Sequence, residues 1–263
     1  MKGVKSNSMD HLVPIIKVFG IEFDLAAIMM VVISSLVVFI LARLAVRNLS
    51  VENPGKLQNF LEWVVEFVSS IIGMATDYKR GRVYLGLGLA LIMYIFVSNM
   101  LGLPFGIVTE AHDNHIPVVL GQELIIRGEA PEHMAWLWWK SPTADMAMTM
   151  ALALTVIGLS HIQGLRHNRK HYLKHYFQPW PFFLPINLIE TAAKPLTLGL
   201  RLYGNIYAGE VMIGIILGMG WFGIPALIVW QGFSIFVGAI QAFVFTMLTM
   251  VYIGQASIHE EGH

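Results

Sequence analysis

The chain has 263 residues, 56% of them hydrophobic and 13% charged, with a formal net charge of zero. A soluble domain carries about 25% charged residues, and a neutral chain has no electrostatic basis for a nucleic-acid partner. There are no cysteines, which excludes disulfides, iron–sulfur clusters and Cys-ligated zinc.

The apolar residues fall in blocks longer than ~18, the length of a membrane span. The first block, residues 25–45, follows a polar start and is too long for the apolar core of a signal peptide. The first residues are therefore expected in the mature protein. Arg43 and Arg47 end the block, and Pro54-Gly55 breaks the chain. Over residues 54–79, Leu57, Phe60, Leu61, Val64, Val65, Val68, Ile71 and Ile72 recur at helical spacing. Gln58, Asn59, Glu62, Glu66 and Ser70 occupy the opposite face. This pattern predicts an amphipathic helix lying in the membrane interface. Lys79, Arg80 and Arg82 precede a second span at 83–103.

Residues 104–141 form a long polar segment with five acids (Glu110, Asp113, Glu123, Glu129, Glu132) against Arg127 and Lys140. It ends in Trp136, Trp138 and Trp139, an interfacial aromatic belt. Ser141-Pro142 is expected to open the next span, 142–164, with Ser as N-cap and Pro at the first helical position. A basic loop follows at 165–180, containing Arg166, Arg169, Lys170 and Lys174. The positive-inside rule predicts this loop in the cytoplasm, the acidic segment and N-terminus outside, and the C-terminus inside. Two further spans fill residues 181–258, each ~33 residues or ~50 Å long against a hydrocarbon layer of ~30 Å. They are expected to form a strongly tilted hairpin turning near Gly220-Trp221. The predicted fold is an all-α membrane protein of four to five transmembrane helices plus the interfacial helix.

Arg201 sits mid-way along the first long helix. An arginine there costs ~2.5–3.5 kcal/mol on insertion scales, and its apolar neighbours do not offset that. A fixed positive charge on an ion path is one explanation; a structural ion pair with Glu190 or Glu210 is the other. At 100° per residue, Glu190, Lys194, Arg201 and Asn205 lie within about 60° of one another, and Glu210 falls nearly opposite Arg201. Glu190 lies ~16 Å to one side of Arg201 along a straight helix, and Glu210 ~13 Å to the other. One positive charge thus separates carboxylates in the two halves of the membrane. Mirroring the hairpin about residue 221 puts Gln241 level with Arg201, where its carbonyl could accept from the guanidinium. An ordinary interhelical hydrogen bond of Gln241 is compatible with that. The same mirror puts Gln231 and Ser234 level with Glu210.

The stretch Lys194-Pro195-Leu196-Thr197-Leu198-Gly199-Leu200-Arg201-Leu202-Tyr203-Gly204-Asn205-Ile206-Tyr207-Ala208-Gly209-Glu210 resembles the signature of the F-type ATP synthase subunit a family. Gln241-Ala242-Phe243-Val244-Phe245 resembles its last helix. Ser98-Asn99-Met100-Leu101-Gly102-Leu103-Pro104 and Pro185-Ile186-Asn187-Leu188-Ile189-Glu190 are similar to its bacterial form. The resemblance covers roughly residues 25–257. It implies that Arg201 faces the carboxylates of a c-ring. It further implies that Asn205, Glu210 and Gln241 line an outer half-channel, and that Glu190 belongs to a cytoplasmic one. Some family members carry a histidine where this chain has Ser234; a hydroxyl does not titrate near neutral pH, which leaves water or Gln231 to assist Glu210. The resemblance also implies a c-ring, a peripheral-stalk subunit b and a bacterial plasma membrane as surroundings, with no cofactor or metal.

Other signals are weaker. His259-Glu260-Glu261-Gly262-His263 matches H-E-x-x-H but occupies the last five residues and contains a glycine. His167, His171 and His175 repeat every four residues, which a solvated basic loop explains. Asn99 and His161 lie near span ends and read as interface residues. No Walker loop and no G-x-S-x-G occurs, so ATP chemistry must reside on other subunits. A secondary transporter would show internal repeats, and a haem subunit would need histidines deep in its spans; neither feature is present.

Overall fold

The computed structural model describes residues 12–76, 81–102, 108–111, 118–119, 122–125, 134–175, 177 and 180–257. Lys79, Arg80, most of the acidic segment and the His259–His263 pattern lie outside the described residues, as do the side chains of His167, His171 and His175. Five helices are long and apolar enough to cross a membrane. The helices are α1 (Leu25–Ala45), α2 (Lys56–Ala75), α3 (Leu85–Gly102), α4 (Met146–His175), α5 (Leu184–Gly218) and α6 (Gly223–Ser257). All but α2 contribute to those five spans.

The two 35-residue helices α5 and α6 form the expected hairpin. A 3₁₀ turn over Gly220–Phe222 joins them, and Gly220 takes φ +62°, a conformation costly for residues with a Cβ. α5 runs unbroken through Pro195. The central core joins four helices: Leu91 and Ile95 of α3, Ala153 and Val156 of α4, Leu198 and Leu202 of α5, Ala242 and Phe245 of α6. In a membrane such helices are held by close packing and interhelical hydrogen bonds rather than by exclusion of water. Gly199 serves that packing, because a Cβ there would lie 2.4 Å from Met150 Sδ of α4. The other glycines of the run behave differently: Gly204 and Gly214 face open space.

The amphipathic helix α2 is more deeply packed than a purely interfacial helix. Val64, Val68, Ile71 and Ile72 are buried against Met93 of α3 and Met250 of α6. Leu57, Phe60 and Trp63 remain exposed. Its apolar stripe is therefore shared between the protein and the surroundings. Gln58, assigned by periodicity to the polar face, is buried and bonds Ser50 and Glu62.

Two local expectations are corrected. Ser141 does not cap α4: it precedes a 3₁₀ turn, Pro142–Ala144, without a side-chain cap bond. Asp145 accepts from the Met148 amide (3.0 Å) and is the capping side chain, because the Ser141 hydroxyl is occupied elsewhere. α4 also continues to His175 through the stretch expected to be a basic loop. No glycine or proline between Arg166 and His175 stops it.

One end of the bundle carries β structure the sequence did not announce. The hairpin β1 (Ile15–Val18) and β2 (Ile21–Asp24) leads directly into α1. Strands β3 (Val108–Ala111) and β6 (Met134–Leu137) pair, as do β4 (Val118–Val119) and β5 (Gln122–Glu123). Ile16, Leu124 and Trp136 form the buried centre of this cap. Bridges Leu12–Trp136 and Ile15–Ile125 tie the N-terminal hairpin to the segment between α3 and α4.

Candidate functional site

The hairpin displays a charged and polar line along α5. Arg201 is exposed, and among the described residues it makes no hydrogen bond or ion pair. Its exposed neighbours are apolar or aromatic (Leu196, Leu200, Tyr207) or polar and neutral (Thr197, Asn205). Neither Glu190 nor Glu210 pairs with it. Glu190 instead pairs with Lys194 at 3.3 Å, one turn away, and Lys194 lies 5.9 Å from the ring centre of Tyr252 on α6.

Gln241 is 3% exposed, and its carbonyl accepts from Asn205 Nδ2 (2.8 Å), not from Arg201. The expected pairing is corrected by one helical turn. The 3₁₀ turn moves the centre of the hairpin towards Gly223, which brings Asn205 level with Gln241. The guanidinium is left facing outward. The other polar atom of the Gln241 side chain, the donor Nε2, is buried without a partner among the described residues, as are Gln231 Nε2 and Ser234 Oγ. With Asn205 they form a polar seam between α5 and α6. A cleft of about 190 Å³ opens beside Asn205 and Ser234, walled mainly by Ile206, Gly209, Trp230 and Phe233. Trp230 Nε1 donates to the Gly209 carbonyl (3.2 Å) and closes the seam towards the turn. Ser234 lies across from Gly209, next to Glu210 in the chain.

Glu210 is directed away from Ser234, towards the β cap. Its Oε1 accepts from the Ser141 backbone amide (3.4 Å). Ser141 in turn belongs to a buried relay. Its hydroxyl lies 2.6 Å from Thr143 Oγ1 and 3.1 Å from the Ser98 carbonyl. Thr143 Oγ1 lies 2.6 Å from Asn99 Oδ1, and Asn99 Nδ2 donates to the Gly238 carbonyl (2.9 Å). Two hydroxyl protons serve three contacts, so the relay can reorient between them. It joins α3, the start of α4, α5 and α6. Asn99, read from its position as an interface residue, is fully buried at the centre of this relay. His161 is likewise not free at an interface: its Nδ1 pairs with the Tyr172 hydroxyl of the same helix.

Ser98, Asn99, Ser141 and Thr143 were not foreseen as site residues. The one available signal was a cluster of small polar residues where an apolar run should continue. Gly102 is what lets Ser141 dock, since a Cβ there would lie 2.2 Å from Ser141 Cβ and 2.5 Å from its Cα. Gly102→Ala is expected to destabilise this corner by about 1–3 kcal/mol. The check is the yield of assembled complex in detergent, which should fall below that of Gly204→Ala, a position with open space.

A family model described as ATP synthase A chain matches residues 27–254. The chain belongs to this family. It is 45% identical to the ATP synthase subunit a of Bacillus subtilis (strain 168), covering 96% of this chain and 100% of that relative. It is 46% identical to subunit a of Anoxybacillus flavithermus, with the same coverage. Subunit a of Staphylococcus aureus (strain JH9) is 44% identical over 93% of this chain and 96% of its own. The resemblance carried by Lys194–Glu210 thus extends to the whole ATP synthase A chain, from α1 to the end of α6. No group of three or more metal-ligating side chains occurs among the described residues.

Proposed function

We propose that this chain is the proton-translocating stator subunit of a rotary F-type ATP synthase, forming two offset half-channels against the c-ring with Arg201 between them. The observation that carries this reading is Arg201, exposed on α5 with no hydrogen bond or ion pair among the described residues. A lone guanidinium facing lipid alone would be costly. A ring of carboxylates passing that face offsets the cost. The chain itself catalyses no bond chemistry; it belongs to the membrane sector of the complex, beside the c-ring and peripheral-stalk subunit b. It lies in the bacterial plasma membrane with the N-terminus and β cap outside and the C-terminus in the cytoplasm.

A proton reaches Glu210 from the cap side and passes along the seam of Asn205, Gln241, Gln231 and Ser234 to a ring carboxylate. The neutralised site can then turn into lipid, where an unpaired charge would be costly. After nearly a full turn it releases its proton into the cytoplasmic half-channel near Glu190 and Lys194. The carboxylate is then drawn to Arg201. Arginine stays protonated at any relevant pH, so it is a barrier between the half-channels rather than a relay.

The absence of cysteines makes a direct test simple. Leu200→Cys and Tyr207→Cys, both exposed on α5, are expected to form disulfides with single cysteines on the outer helix of the ring. Leu202→Cys, fully buried, is expected not to. Cross-linking at Leu202 but not at Leu200 or Tyr207 would put the ring on another face and contradict the proposal.

A further inference from the structure

Beside Glu210, the cap carries an ion-pair knot with no part in the path so far. Lys140 ends the segment between α3 and α4, and its side chain is only 11% exposed. Its ammonium pairs with Asp24 Oδ2 and lies 3.8 Å from Asp145 Oδ2. Both carboxylates are themselves fixed by helix N-termini. Asp24 accepts from the Ala27 amide of α1 and Asp145 from the Met148 amide of α4, each at 3.0 Å. The residue after Lys140 is Ser141, whose amide reaches Glu210. The indole of Trp139 anchors the other side of Lys140 by donating to the Leu101 carbonyl (2.8 Å).

We propose that Lys140 is a positioning residue for the outer proton path, clasping the N-terminal hairpin and the start of α4 so that the Ser141 amide and one positive charge are held at Glu210. This rests on the reading of Glu210 as the outer half-channel carboxylate. A cation beside a carboxylate favours its charged form, and Asp24 and Asp145 partly offset that cation. The other titratable group coupled to Glu210 is Tyr203, stacked on Tyr207 at 5.2 Å on the same helix and coupled also to Asp145 at the start of α4. The polar residues that follow outward from this corner are uncharged: Ser234 of α6 across from Gly209, and Asn99 of α3 behind Thr143. By holding the residue before Ser141, Lys140 fixes the amide that reaches Glu210.

The test uses membranes with the assembled complex, stripped of the catalytic sector, in which passive proton flux is recorded while the pH on each side is varied separately. Lys140→Met is expected to move the outer-side midpoint up by about 0.5–1 pH unit. Asp24→Asn, which preserves the helix cap, is expected to move it down, because Lys140 is then less neutralised. Lys140→Arg should keep the wild-type profile, and none should move the cytoplasmic-side profile. An unmoved outer midpoint in Lys140→Met would overturn the proposal. So would shifts of the same sign in both charge variants, or equal shifts on both sides, as merely structural damage would produce. If Lys140→Met does not assemble, Asp24→Asn decides alone: a downward shift supports the proposal and an unmoved midpoint overturns it. Glu210→Gln separates the two levels. Normal conduction in that variant would remove the underlying reading of Glu210; blocked conduction with a silent Lys140→Met would remove only the role of Lys140.

Discussion

Arg201→Ala is expected to abolish ATP-driven proton pumping in inverted membrane vesicles, at least a hundredfold below wild type, with the complex still assembled. Assembly should survive because Arg201 touches no partner among the described residues and lies outside the core of Leu198, Leu202 and Ile206. Alanine also removes a residue that costs ~2.5–3.5 kcal/mol to insert. Pumping should not survive, because a deprotonated ring carboxylate then enters an apolar interface without a counter-charge. Arg201→Lys should also be strongly impaired. A lysine can lose its proton when desolvated, and its compact ammonium lacks the planar fork that meets a carboxylate with two hydrogen bonds. Pumping rates together with complex yield on native gels check both variants.

Glu210→Gln is expected to lower pumping and gradient-driven ATP synthesis by about 10²–10⁴-fold, the usual contribution of a positioned proton-transfer group. The substitution preserves size, and the amide oxygen can still accept from Ser141, so the relay through Thr143 and Asn99 stays in place. What is lost is the ability to take up a proton. Ser234→Ala should have a far smaller effect, within about threefold, because Glu210 is turned towards Ser141 and away from Ser234, and a hydroxyl does not titrate near neutral pH. If Ser234→Ala were as damaging as Glu210→Gln, the Ser234 hydroxyl would be an obligatory step of the seam rather than one of several polar groups along it.

The residues legible in the sequence were those whose chemistry conflicts with their surroundings. Arg201 in an apolar run is anomalous at any alignment, and two apolar stretches too long for one crossing announce a hairpin. What depended on exact register was less legible. Counting from the turn placed Gln241 against Arg201, and a single 3₁₀ turn over Gly220–Phe222 moved it to Asn205. Contacts between distant segments left no sign of which residues would meet. Asn99 meets Gly238 across 139 residues and Ser141 meets Ser98 across 43, so neither periodicity nor composition could place them together. Ser141 looked like a helix cap because Ser-Pro before an apolar run has that pattern; its hydroxyl is drawn to Thr143 and Ser98 instead. The β cap escaped because strands of two to four residues are too short to show alternation.

The central claim is that Arg201 keeps two half-channels apart, and passive proton flux tests it most directly. Vesicles stripped of the catalytic sector would carry wild type, Arg201→Ala, or Arg201→Ala with Glu210→Gln, with flux measured under an imposed potential. The prediction is that Arg201→Ala leaks at least as fast as wild type although it cannot pump, and that adding Glu210→Gln closes the leak. A leak well below wild type in assembled Arg201→Ala complex would mean that the arginine carries protons rather than blocking them, and would contradict the separation of the half-channels.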